Sequence, residues 1–157
     1  MGCDIRGWVI VNQGKISNRN FWCPIVKIDN LIHRNYDMFG CLFGVSNYAN
    51  FKPIAEGRSL PKDLDSLYTF LRSESEDFYS TTWINWKEIK KINWDEKSEK
   101  PITNKKVYWR VKGKKIQRKD ALSSDWKLLF DLMKRLAKDY GDENIRLVVW
   151  FSGADTL

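Results

Sequence analysis

Residues 124–151, SDWKLLFDLMKRLAKDYGDENIRLVVWF, carry two hydrophobic patterns end to end. Trp126, Leu129, Phe130, Met133, Leu136 and Tyr140 fall at i, i+3, i+4, i+7, i+10 and i+14, which is one stripe of a 3.6-residue helix. Ser123 or Ser124 is suited to cap it, and Asp125 favours the positive end of the helix dipole. Lys134, Arg135 and Lys138 suit the negative end, and Gly141 is a natural stop. Residues 145–151 are then almost wholly apolar. That pattern predicts a central strand covered on both faces rather than a strand with one wet side. A helix delivering the chain into such a strand sets the fold class: α+β, one domain, a mixed and mostly antiparallel sheet with three or four helices.

The rest of the chain fits this frame. Residues 3–11 and 19–28 read as two strands of a hairpin, with a turn at Asn12-Gln13-Gly14-Lys15. Pro24 has no ladder donor, which predicts an edge position or a bulge. Residues 35–45 read as a short helix capped by Asn35 and stopped by Gly44. Residues 63–72 read as a second helix, with Leu64, Leu67, Tyr68 and Leu71 inward, followed by an acidic loop at 73–77. Residues 78–84 read as a strand. Asn85 and Glu88 form a capping-box pattern that opens a helix through Ile92. Residues 93–104 read as a surface connection, and the alternation over 105–112 predicts one more strand. The order is β-β-α-α-β-α-β-α-β.

At 157 residues the chain is the size of one ordinary domain. Its net charge of +7 is uneven. Residues 101–157 hold 13 basic and 7 acidic side chains, which is +6 of the total. Such asymmetry points to an anionic partner. Three scattered cysteines (Cys3, Cys23, Cys41) without a CxxC pair, and no secretory-type opening, point to reduced thiols in a cytoplasm. No apolar run approaches the ~18 residues a membrane span needs, so no membrane partner is expected. Gly2 follows Met1, but Arg6 stands where a myristoylation signal has Ser or Thr.

One histidine, His33, and dispersed cysteines offer no zinc-type ligand set, so no metal or cofactor is expected. Glu74, Glu76 and Asp77 read as a solvated acidic loop. A Ser or Cys nucleophile needs a base, and His33, beside Arg34 in a strand-to-helix connection, reads as structural. No GxSxG elbow or P-loop is present, and no catalytic residue is assigned. Arg6, Arg34 and Arg58 are candidates for holding phosphate, because a guanidinium is a permanently charged planar fork. Lys105, Lys106, Arg110, Lys112, Lys114, Lys115, Arg118 and Lys119 form a basic run around Tyr108 and Trp109. That combination is what binders of single-stranded nucleic acid use.

The opening Met1-Gly2-Cys3-Asp4-Ile5 and the segments 34–39, 53–54, 58–61, 77–83 and 148–151 resemble, in this order, a family of small, largely uncharacterised bacteriophage and prophage proteins whose members typically begin Met-Gly-Cys-Asp-Ile-His. The chain departs from that pattern. Arg6 stands in place of the usual His, Ser59 in place of Gly, and Asp77-Phe78-Tyr79-Ser80-Thr81-Thr82-Trp83 in place of a histidine-bearing segment. The resemblance implies a phage accessory protein, for counter-defence or host interaction, in the cytoplasm of an infected bacterium. The lost histidines imply binding rather than catalysis. Asp4, Arg6, Arg34, Tyr36, Arg58, Asp77, Tyr79, Ser80 and Trp83 are the expected ligand-binding set, gathered in one cleft around an anionic, nucleotide-like small molecule. A host defence protein as partner, or nucleic acid on the basic run, are the alternative readings.

Overall fold

The computed structural model describes residues 2–99 and 115–153. Two strands open it, β1 (Asp4–Ile16) and β2 (Arg19–Lys27). Helices α1 (Tyr36–Phe43) and α2 (Leu67–Ser75) follow, then β3 (Tyr79–Asn85) and the one-turn helix α3 (Trp86–Ile89). A 3-10 turn at Arg118–Ala121 leads into α4 (Ser124–Tyr140) and the last strand β4 (Ile145–Ser152). The sheet order is β2-β1-β4-β3, antiparallel at every pairing. The α+β class and the four helices are as expected. The strand expected at 105–112 lies outside the described residues.

β4 is the inner strand its composition demands. It lies between β1 and β3, and Ile145, Leu147, Val148, Val149 and Phe151 are fully buried. Its side chains alternate between two apolar layers. On one face Ile145, Leu147, Val149 and Phe151 join Ile5, Val9, Val11 and Ile84 against α1 and α4. On the other, Val148 and Trp150 join Ile10 and Trp22 beneath Leu64, Leu67 and Leu71 of the α2 segment. Helices on both faces explain why β4 shows no polar alternation.

Several local readings needed adjustment. β1 runs through the expected turn at Asn12–Lys15, which is instead an irregularity in its pairing with β2. The chain reverses at Ser17-Asn18, where φ is 51° and 65°. Two left-handed residues in succession make the turn whose twist matches a tight hairpin. Pro24 sits on the edge strand and beside a register shift, as a residue without an N–H should. α2 starts four residues later than expected and absorbs part of the acidic loop, and Tyr68 is 41% exposed rather than inward. α3 ends at Ile89, short of Ile92. The expected caps form: Asn35 accepts from the Met38 N–H at 3.0 Å, and Asn85 and Glu88 cap reciprocally.

Candidate functional site

The start of β1 and the segment 28–35, which carries the chain from β2 to α1, enclose a polar hollow of about 570 Å³. Ile5 and Ile32 contribute apolar wall, and Asp4, Arg6, Asp29, Asn30, His33 and Arg34 contribute polar groups. Gly7 ties the two pieces together. Its N–H donates to Asp29 Oδ1 at 3.0 Å, and its carbonyl accepts from the Ile28 N–H at 3.0 Å. With φ at 148°, and with a Cβ there set to collide with the Val148 carbonyl of β4, the position requires glycine.

Each cation of the hollow has a carboxylate. Arg34 donates from Nε to Asp4 Oδ1 at 2.6 Å and from Nη2 to Oδ2 at 3.2 Å. This fork holds the Asp4 carboxyl below the usual carboxylate range, with the nearby Arg6 charge adding to the effect. Arg34 leans across Gly2, where any β-carbon would overlap the guanidinium. Arg6 is held more loosely. Its Nη1 is 3.5 Å from Asp29 Oδ2, and the Phe78 ring lies 5.3 Å from its guanidinium carbon. Lys27 reaches the same Asp29 oxygen at 3.9 Å. The side chains of Arg6, Arg34 and Asp4 are 45%, 53% and 48% exposed, so their remaining donors and acceptors face solvent. Five N–H donors sit on each guanidinium, and Arg34 spends two on Asp4.

The expected nine-residue cleft divides. Asp4, Arg6 and Arg34 share the hollow. Tyr36 sits beside it: its hydroxyl accepts from the Cys3 N–H at 3.0 Å and its ring packs edge-on to Tyr48, which fixes the start of β1 against α1. Arg58 is committed elsewhere. It forms a two-point ion pair with Glu88 at 2.8 and 2.6 Å, donates to the Trp83 and Ile54 carbonyls, and lies 5.1 Å from the Trp83 ring. Trp83 also faces Arg146 at 4.5 Å, and Arg146 lies 4.2 Å from Trp22 and pairs with Asp63. Arg58 and Trp83 thus join a structural ladder of alternating rings and guanidiniums on the α2 side of the sheet. Asp77 precedes β3 and Tyr79 and Ser80 begin it, all three outside the hollow's lining, with Asp77 and Tyr79 exposed and Ser80 at a bulge with φ of 55°.

Asp29 and Asn30 were not expected in the site. Their one signal is an Asp-Asn turn directly after a strand. His33, read as structural, lines the hollow, and its backbone N–H donates to Asp125 at the start of α4. Burial tends to raise Asp125, but hydrogen bonds from Ser123, His33 and Trp126 outweigh it and keep that carboxyl low.

In the basic run, Lys105, Lys106, Arg110, Lys112 and Lys114 lie outside the described residues. Lys115 and Lys119 are exposed, and Lys119 pairs with Asp95 at 3.0 Å. Arg118 corrects the expectation. It is 2% exposed and donates to the Cys41 and Lys52 carbonyls, the Cys41 thiol and Glu96, so it cannot meet nucleic acid. Among the described residues, no three Cys, His, Asp or Glu side chains gather as metal ligands, and no helix is long and apolar enough to cross a membrane.

No protein-family model, no curated protein and no solved structure matches this chain, so its function is read from the hollow's own chemistry.

Proposed function

We propose that this chain is a bacteriophage accessory protein that binds a phosphorylated, nucleotide-like small molecule non-covalently in the hollow formed by Asp4, Arg6, Asp29, Asn30, His33 and Arg34. One observation carries the reading. Two of the segments on which the phage-family resemblance rests, 1–5 and 34–39, meet through the Asp4–Arg34 fork, and Arg6 opens into the same hollow. Guanidiniums suit phosphate oxygens, and the carboxylates and the Asn30 amide suit ribose hydroxyls and base edges. The charged groups around the site are pinned as ion pairs, which favours holding a ligand over moving its protons. Such a protein would act in the cytoplasm of the infected host by sequestering a signal.

The test is to mix the protein with a bacterial nucleotide extract, remove free ligand, denature the protein and identify what it releases by mass spectrometry. An intact nucleotide released from the wild type, and lost in Arg6→Ala, is the expected result. Recovery of a converted product would make the chain an enzyme, and recovery of nothing would end the binding reading.

A second reading is inhibition of a host protein. Phe21 and Ile25 on the edge strand β2 are 42% and 43% exposed, an arrangement that favours an apolar contact. Purification from infected host lysate with one stoichiometric host protein, abolished by Phe21→Ser, would support it.

A further inference from the structure

A second depression, of about 530 Å³, opens between α3 and α4 and shares no residue with the polar hollow. Phe130, Lys134 and Ala137, at i, i+4 and i+7, line it with one stripe of α4. Trp86 and Ile89 of α3, and Trp94 after it, form the facing wall. The Trp94 and Phe130 rings lie 5.8 Å apart and tilted by 47°. Lys90 pairs with Asp142, and Lys87 with Glu143 at 2.7 Å, which holds α3 against the 3-10 turn Asp142–Asn144 after α4. The two walls are thus fixed to each other before anything binds.

The charges of this groove lie at its edge. Ile89, Phe130 and Ala137 are buried, whereas Lys134, Lys138 and Asp131, all three in the lining, are exposed. Lys134 and Lys138 stand one turn apart on α4 and form no ion pair among the described residues. With Lys90 taken up by Asp142, two ammonium groups remain against the one carboxylate of Asp131. An aromatic wall with a few charged groups at its rim is the usual make-up of a small-molecule pocket. A ligand rich in hydroxyls would leave them unpaired against Trp86, Trp94 and Phe130, at a desolvation cost. A flat apolar body would not. The ammonium groups are point charges on flexible stems, so they can meet a single anionic head without the fork geometry that a guanidinium imposes.

We propose that this groove is a second binding site, for a small amphiphilic anion: a flat aromatic body lies against Trp86, Trp94 and Phe130, and one carboxylate- or sulfonate-type head meets Lys134 and Lys138.

The probes are anilinonaphthalene sulfonate and the uncharged phenylnaphthylamine, which share an aromatic body and differ in the head. Both brighten on leaving water, so binding to the folded chain is read by fluorescence. The wild type should bind one sulfonate per chain. Lys134→Gln and Lys138→Gln should each weaken it about fivefold, the effect of ~1 kcal/mol between unit charges 4 Å apart in water, and leave the neutral probe unchanged. Asp131→Asn should tighten the sulfonate by a similar factor. Trp94→Leu should weaken both probes. Lys62→Gln removes an equal charge outside the groove and should change neither.

Equal weakening of both probes in the lysine variants would overturn the lysine pair as the head site. So would a loss in Lys62→Gln as large as that in Lys134→Gln, which marks a diffuse charge effect. Absence of saturable binding by either probe, or binding unchanged in Trp94→Leu, would overturn the groove as a site. Lys62, Asp131, Lys134 and Lys138 are exposed, so their variants decide the matter even where Trp94→Leu fails to fold.

Discussion

Arg118 shows what burial does to a charge that, in the sequence, stands among exposed ones. It is 2% exposed, its guanidinium carbon lies 5.4 Å from the Phe51 ring, and its donors go to two backbone carbonyls, one thiol and one carboxylate. Those acceptors belong to the ends of α1, the loop after it and the 94–98 segment, so one side chain ties three pieces together. Burial pushes the neighbouring Cys41 thiol up, and the hydrogen bond from Arg118 only partly offsets this. Removing the guanidinium leaves the buried Cys41 carbonyl and the part-buried Lys52 carbonyl without this donor. Arg118→Ala should therefore cost about 3–5 kcal/mol in urea unfolding, the range for breaking a buried charge network. Arg118→Met, which keeps much of the volume, should cost less. Equal losses for the two would mean that the hydrogen bonds, and not the packing, are what matters here.

At the scale of elements, the connection from β2 to α1 has the largest share in forming the hollow. Ile28 begins it with a turn, Leu31 and Ile32 donating back to the Ile28 carbonyl, and Asn35 ends it. The Asn35 side chain accepts from Met38 and donates to the Ala121 carbonyl at 2.7 Å and to Ser123 at 3.1 Å. One amide thus caps α1 and joins it to the entrance of α4. The sequence marks the capping half, since Asn before a helical stripe is a known start signal. The other half depends on a residue 86 positions away. Asn35→Ala should lower stability by about 1–2 kcal/mol, the usual cost of a lost cap, read as a shift in the urea midpoint. Asn35→Asp retains the acceptor and should recover part of it. No recovery would assign the loss to the bond with Ala121.

For the molecule as a whole, the ion pairs that cross the sheet set its response to acid. Arg146 hydrogen bonds hold the Asp63 carboxyl below its ordinary value. Burial pushes Glu88 up, but Arg58 and the Asn85 N–H outweigh it and leave Glu88 lowered. A carboxyl lowered by folding binds fewer protons in the folded chain than in the unfolded one. Its stabilisation is complete above the unfolded value of about 4 and disappears as pH falls through the folded value. Stability should hold steady from about pH 7 to 5 and decline below about pH 4. Asp63→Asn should start less stable at pH 7 and decline less steeply. Parallel curves for wild type and variant would show that the Asp63–Arg146 pair takes no part. Arg146 also lies between the Trp22 and Trp83 rings, with its Nε buried and without a partner among the described residues. Its attraction to Asp63 must therefore offset that cost.

The sequence alone determined what depends on neighbours within a few turns of chain. The stripe of α4, the two-sided burial of β4, the caps at Asn35 and Asn85 and the edge placement of Pro24 all follow from period, propensity and backbone chemistry. Tertiary structure alone decided which arginines keep free donors. Arg58, Arg118 and Arg146 are taken up by partners 30, 22 and 83 residues away, while Arg6 and Arg34 remain half exposed over one hollow. A guanidinium reads the same in sequence whether it faces water or a buried carbonyl. Its role is set by which distant carboxylate the fold brings within about 3 Å, and no local pattern encodes that distance.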